Sequence, residues 1–194
     1  MFGSHLILTG GRCIALEHPT DLHATAMFTG HRRISNIERD RLRQILPDVI
    51  TALFREGIST FISGAAIGFD TLAAQAVLSV RDAGLAVSLQ LAVPCLNQDT
   101  RWNRSDRAAY AALMQQADSV LHTSFTPYYN GCMQVRNRYM VEHAAVCIAY
   151  FNGEPLGGTA ATYRLAQSFH RRILNLCPPK SSESQLSLSE TESE

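Results

Sequence analysis

The stretch that most constrains the fold is Thr60 to Ala74, TFISGAAIGFDTLAA. A short apolar run, Thr60-Phe61-Ile62, meets Ser63-Gly64, passes two alanines to reach Gly68, and enters a helical pattern through Asp70 and Thr71. This is a strand, a glycine turn and a helix start. Such a junction can cradle a phosphate, because glycine lets the backbone approach an anion closely and a helix N-terminus points unpaired N–H groups at it. A glycine between strand and helix also arises wherever the chain must turn sharply. The neighbouring segments decide between the two readings.

Taken in order, Ala26 to Gly30 reads as an earlier strand that ends at a glycine and is followed by His31, Arg32 and Arg33. Ser35 with Glu38 matches a capping box. From Ile37 to Phe54 apolar residues recur at helical spacing as far as Glu56, with Gly57 placed to end the helix and Pro47 expected to kink or divide it. After the central motif, helical spacing continues through Val80 to Gly84, and Val87 to Pro94 forms a third strand. The polar connection NQDTRWNRSDR leads into a helix bearing Tyr110, Leu113 and Met114, followed by a strand at Ser119 to His122. Thr123 to Cys132 is a loop by its Pro, Asn and Gly content. A helix over Met133 to His143, a strand over Val146 to Phe151, a helix over Ala160 to Phe169 and a strand over Arg172 to Cys177 complete the pattern.

Strands alternating with helices at this spacing imply right-handed crossovers and a parallel sheet covered on both faces. The expected fold is α/β: a single Rossmann-like three-layer sandwich with a mostly parallel sheet over residues 26–179. Residues 1–25 form an N-terminal extension that fits a small hairpin or an irregular segment. Residues 180–194 are Ser/Glu-rich and expected to be disordered.

Charge and cysteine content exclude some functions. The formal net charge of the 194 residues is zero. The only lysine and four glutamates lie after residue 179, leaving 16 arginines against 13 acidic side chains, a net of +3. That is too small to argue for nucleic acid by itself. Arginine suits phosphate better than lysine does, although codon bias produces the same composition. Five widely spaced cysteines with no CxxC pair suggest neither a disulfide framework nor a zinc site. With no signal peptide and no run of 18 or more apolar residues, the expectation is a cytoplasmic protein without a membrane span.

Ligands of open α/β sheets bind at the carboxyl ends of the strands. Four junctions place polar or glycine residues there: Gly30-His31-Arg32, Ser63-Gly64 to Asp70, the Gln98 to Asn103 loop, and Gly157-Gly158-Thr159. Three of them share one design, strand to glycine to helix, which points to a phosphorylated ligand. Neither GxGxxG nor GxxxxGK[ST] is present, which disfavours a dehydrogenase and a P-loop NTPase. Asp70 reads as a helix cap or as a ligand to ribose hydroxyls or a metal. Trp102, beside Asn103, either covers the core or stacks on a base. Tyr128-Tyr129 is loop packing or a lid. His31 and His143 have no partner at metal-ligand spacing.

Together TGHR, FISGAAIGFDTLAA, RWN, MQVRNRYMVE and GGT resemble the YpsA-like branch of the SLOG superfamily, whose relatives include the LOG phosphoribohydrolases and the DNA-processing protein DprA. The resemblance spans Met27 to Pro178, and SGAAIGFD is similar to the SGxAxGID turn of DprA. It implies a fold that binds a nucleotide or an ADP-ribose-like derivative, and a homodimer. The ligand-binding residues it implies are Gly30, His31, Arg32, Ser63, Gly64, Gly68, Asp70, Trp102, Asn103, Arg136, Asn137, Gly157, Gly158 and Thr159. The chain also departs from the LOG pattern. Asn137 stands where the MxxRKxxM motif has Lys, and LGGTAATYR replaces PGGxGTxxE, so that Arg164 falls at the expected catalytic glutamate. A binding or sensory module is therefore the leading reading. A nucleoside-monophosphate phosphoribohydrolase, with Asp70 or Glu142 in place of the glutamate, is the second. DprA-like binding of single-stranded DNA is the third, and the modest charge counts against it.

Overall fold

The computed structural model describes residues 6–9, 12–15 and 21–179. The Ser/Glu-rich segment from Lys180 onward lies outside the described residues.

The apolar run that opens the main fold becomes β3 (Thr25–Gly30), after the hairpin strands β1 (Leu6–Thr9) and β2 (Arg12–Ala15). The chain continues through α1 (Asn36–Arg55), β4 (Thr60–Ser63), α2 (Phe69–Asp82), β5 (Ser88–Val93), α3 (Arg104–Gln116) and β6 (Ser119–His122). It ends with α4 (Cys132–Glu142), β7 (Val146–Tyr150), α5 (Gly158–Ser168) and β8 (Arg172–Asn175). Six strands run parallel in the order β6-β5-β4-β3-β7-β8. The hairpin extends the β6 edge antiparallel, with Ile7 opposite Leu121 and Leu6 opposite Ala15. Of the first 25 residues, Leu6–Thr9 and Arg12–Ala15 pair antiparallel, and residues 1–5, 10–11 and 16–20 lie outside the described residues.

Alternation along each strand sorts its side chains into two cores, as a period of two requires. Phe28, Phe61, Leu89, Leu91 and Ile148 point to the face covered by α1, α2 and α3, where they meet Leu42, Leu46, Ile50, Val77 and Leu113. Met27, Ile62, Ala92, Cys147 and Ala149 point to the other face, against Tyr139, Met140 and Val141 of α4 and Ala166 of α5. The molecule is thus a three-layer sandwich of the Rossmann type.

In α1, Ser35 caps the first turn through the Glu38 amide at 3.3 Å, and Gly57 follows the last turn at φ +99°. Pro47 neither divides nor ends this helix. Leu42, Leu46, Ile50 and Leu53 are buried on both sides of the proline, at roughly 1.5–3 kcal/mol each, which outweighs the hydrogen bond it removes. Among the described residues no helix is long and apolar enough to cross a membrane.

Candidate functional site

From β3 the chain runs to β4 on one side, while β7 and β8 lie on the other, so the strand order reverses between β3 and β7. A crevice opens at such a reversal, beyond the strand ends. Here it is a cavity of about 370 Å³, lined by Phe28, Thr29 and the Gly30-His31-Arg32 segment, by Ala66 and Asp70, by Met133, Arg136 and Asn137 of α4, and by Leu156 to Thr159.

The glycine turn after β4 forms one wall. Ser63 Oγ accepts the Ala65 amide at 3.1 Å and donates to the Asp70 carbonyl at 3.0 Å, which folds the turn onto the first turn of α2. Ala65, a non-glycine residue at φ +49°, is held in this strained conformation by that bond and by complete burial. Gly68, at φ +94°, is the N-cap of α2, and a Cβ there would lie 2.5 Å from the carbonyl oxygens of both His31 and Arg32. The two glycine turns therefore interlock. Asp70 is not the cap: it is the second residue of α2, buried, and the Ala66 amide donates to its carboxyl group.

Arg136 projects from α4 over Gly64 and is 5% exposed. Its Nε donates to Asn137 Oδ1 at 2.8 Å, Asn137 Nδ2 donates to Thr162 Oγ1 at 2.8 Å, and that hydroxyl donates to the Gly158 carbonyl at 2.8 Å. A relay thus ties the guanidinium to the first turn of α5. Buried Nη1 of Arg136 has no hydrogen-bond partner among the described residues. Burial lowers the Arg136 pKa and the Asp70 charge opposes that shift. The guanidinium nonetheless stays cationic at neutral pH. Burial pushes the Asp70 carboxyl up to about 6, against the opposing pull of Arg136, the Ala66 amide and Arg32.

The opposite wall is the N-terminus of α5. Its first intrahelical bond runs from the Ala161 amide to the Gly157 carbonyl at 3.0 Å, so the amides of Gly158 and Thr159 precede the hydrogen-bonded ladder, an arrangement that suits an anion. His31 holds this wall in place: its Nε2 accepts the Asn152 amide at 3.1 Å, which puts the ring proton on Nδ1.

Nine of the fourteen residues implied by sequence line the cavity: Gly30, His31, Arg32, Asp70, Arg136, Asn137, Gly157, Gly158 and Thr159. Ser63, Gly64 and Gly68 shape its wall from behind. Trp102 and Asn103 do not line it. Trp102 packs edge-on against Tyr110 at 5.4 Å, and Asn103 caps α3 by accepting the Asp106 amide at 2.9 Å. From the same loop it is Gln98 that reaches the glycine turn, with Nε2 3.3 Å from the Gly64 carbonyl. Glu142 lies outside the cavity, paired with Arg138, and Arg164 donates to the Pro155 carbonyl. The other lining residues, Phe28, Thr29, Ala66, Met133 and Leu156, were not among the expected ligand-binding residues, although Met133 lies in the MQVRN motif and Leu156 at the start of LGGTAATYR.

A Rossmann-type sheet with an arginine-lined cavity at its switch point places the molecule among the three-layer α/β domains. The chain belongs to the YpsA family, described as a SLOG family, whose model matches residues 29–175. It is 24% identical to a UPF0398 protein of Halalkalibacterium halodurans over 147 residues, 75% of each chain. It is 25% identical to the SPbeta prophage-derived protein YoqJ of Bacillus subtilis, over 61% of this chain and 74% of that one. Among solved structures it superposes on DNA processing protein A of Helicobacter pylori with a TM-score of 0.58 at 18% identity, covering 88% of this chain and 74% of the other. DprA of Streptococcus pneumoniae gives 0.61 at 14% identity, covering 85% and 56%. These likenesses establish the fold.

Proposed function

We propose that this chain binds a nucleotide or nucleotide derivative, a nucleoside phosphate or an ADP-ribose-like molecule, and acts as a sensory or regulatory module. The observation that carries the reading is the buried Nη1 of Arg136, which has no hydrogen-bond partner among the described residues and belongs to a side chain that lines the cavity, with the N-terminus of α5 on the far side. An unpaired buried guanidinium donor is costly unless an anion satisfies it. Arg32, exposed and with no carboxylate of the described residues within ion-pair distance, supplies a second cation at the rim.

Among the described residues Asp70 is the single carboxylate lining the cavity. With Arg164 turned to Pro155 and Glu142 outside, no second carboxylate of the described residues stands across from it, and this favours binding over glycosidic hydrolysis. One phosphate held by buried groups also fits a compact ligand better than a DNA strand, which needs a track of exposed cations.

Calorimetry with AMP, ADP, ADP-ribose and a single-stranded oligonucleotide tests the reading. The wild type is expected to bind a mononucleotide-containing ligand. Arg136→Ala should weaken that binding by about 10- to 100-fold, the range for a charged hydrogen bond lost from a buried site. Binding of the oligonucleotide alone, with a steep salt slope, would transfer the conclusion to DNA, and release of free base would transfer it to hydrolysis. Failure of the wild type to bind any member rejects it.

A further inference from the structure

Beneath the anion seat lies a buried carboxyl group that the binding reading leaves without a role. Asp70 is 7% exposed, yet it lines the cavity. The groups facing it come from every packed element. The loop after β3 presents His31 and Arg32, α4 presents Arg136, β7 presents the Cys147 thiol, and its own turn presents the Ala66 amide. Burial pushes the Cys147 thiol up to about 12, so it is neutral. The first turn of α5 adds no titratable or charged side chain.

Arg136 Nη1 and Asp70 Oδ2 both crowd the space a side chain at Gly64 would occupy, and they make no hydrogen bond or ion pair with one another. An oxyanion that satisfies Nη1 therefore comes to rest beside the Asp70 carboxyl. Two anionic oxygens adjacent in a buried site do not both stay ionised, and one proton comes to be shared between them.

We propose that Asp70 enters the complex as the neutral acid and donates a hydrogen bond to the bound oxyanion, which makes it a specificity-determining residue for a phosphate-type group and couples binding to the uptake of one proton. The proposal rests on the anion-binding reading above. In the free site Asp70 titrates at about 6, and a neighbouring anion raises it further. Below that pH the carboxyl is already protonated and affinity is level. Above it each bound anion brings a proton with it, and affinity falls by up to about tenfold per pH unit. A carboxylate that instead stayed ionised and accepted sugar hydroxyls would take up no proton.

A phosphate monoester gains charge near pH 6, a trend of its own, so the probe is inorganic sulfate, fully ionised throughout. Sulfate binding to the full chain is measured by calorimetry between about pH 5 and pH 8, in paired buffers of different ionisation enthalpy. The wild type should lose about tenfold in affinity per unit above pH 6 and take up close to one proton per sulfate. Asp70→Asn, whose amide donates at any pH, should bind with a level profile and no proton uptake. A level wild-type profile with no proton uptake overturns the proposal and leaves anion binding intact. A pH dependence that survives in Asp70→Asn assigns the proton to another group and also overturns it. Sulfate binding at no pH rejects both this proposal and the reading beneath it. The proton count on the wild type decides the matter even where the variant does not fold.

Discussion

Gly64 shows how one missing side chain makes room for the site. A Cβ there would overlap the Arg136 guanidinium and press on Asp70 Oδ2 at 2.7 Å. Arg136 cannot retreat easily, because its Nε is fixed to Asn137 and its stem is buried. Gly64→Ala should therefore expel the guanidinium from its seat, destabilise the fold by about 1–3 kcal/mol, and weaken anion binding at least about tenfold. Urea denaturation and sulfate calorimetry read the two effects. The decisive measurement is the double mutant. In an Arg136→Ala background the methyl has space, so Gly64→Ala should add little further destabilisation, a coupling characteristic of residues in direct contact. Additive effects would mean that the contact with Asp70 Oδ2, and not the overlap with Arg136, sets the cost.

At the scale of elements, α4 and α5 act as one unit through the Arg136–Asn137–Thr162–Gly158 relay. Thr162 is 2% exposed, so Thr162→Val takes the acceptor from the part-buried Asn137 Nδ2 and the hydroxyl donor from the Gly158 carbonyl. A loss of about 1–3 kcal/mol in urea unfolding is expected, together with several-fold weaker anion binding. Thr162→Ser, which keeps the hydroxyl, should restore most of both. Thr162 was invisible in the sequence, because a threonine inside a helix gives no sign of which helix it will bond. The relay's two ends were legible: MQVRN placed Arg136 and Asn137 on a helix, and GGT marked a helix start. The strand ends were equally legible, because an apolar run giving way to glycine is a local signal. Trp102 and Asn103 show the limit. Their polar loop does sit at the sheet's carboxyl edge, but which of its residues turns inward depends on how α3 packs, and that brought Gln98 to the glycine turn instead. Pro47 shows the same limit in reverse, a local break signal overridden by tertiary burial on both sides of it.

For the whole molecule, the switch point places a carboxyl group where burial works against its charge, and the cost is global stability. Asp70 has an ordinary value of 3.8 and is pushed to about 6 in the folded chain. Between those two values the folded protein keeps the proton while the unfolded chain releases it, so the unfolded state binds fewer protons and stability falls as pH rises through that window. The loss is complete above about pH 6 and amounts to roughly 3 kcal/mol for a shift of about two units. Asp70→Asn keeps the shape and can still accept the Ala66 amide, but it carries no charge to desolvate. Its stability should match the wild type near pH 4 and exceed it by up to about 3 kcal/mol at pH 7, as read by urea denaturation at the two pH values. A variant no more stable than the wild type at pH 7 would show that attraction to Arg136 and Arg32 outweighs the burial of Asp70. If the gain appears, the native carboxyl is retained at the expense of stability in a cavity that an amide would fill equally well. A proton that can be taken up with the ligand, which no amide supplies, is then the property that distinguishes the two.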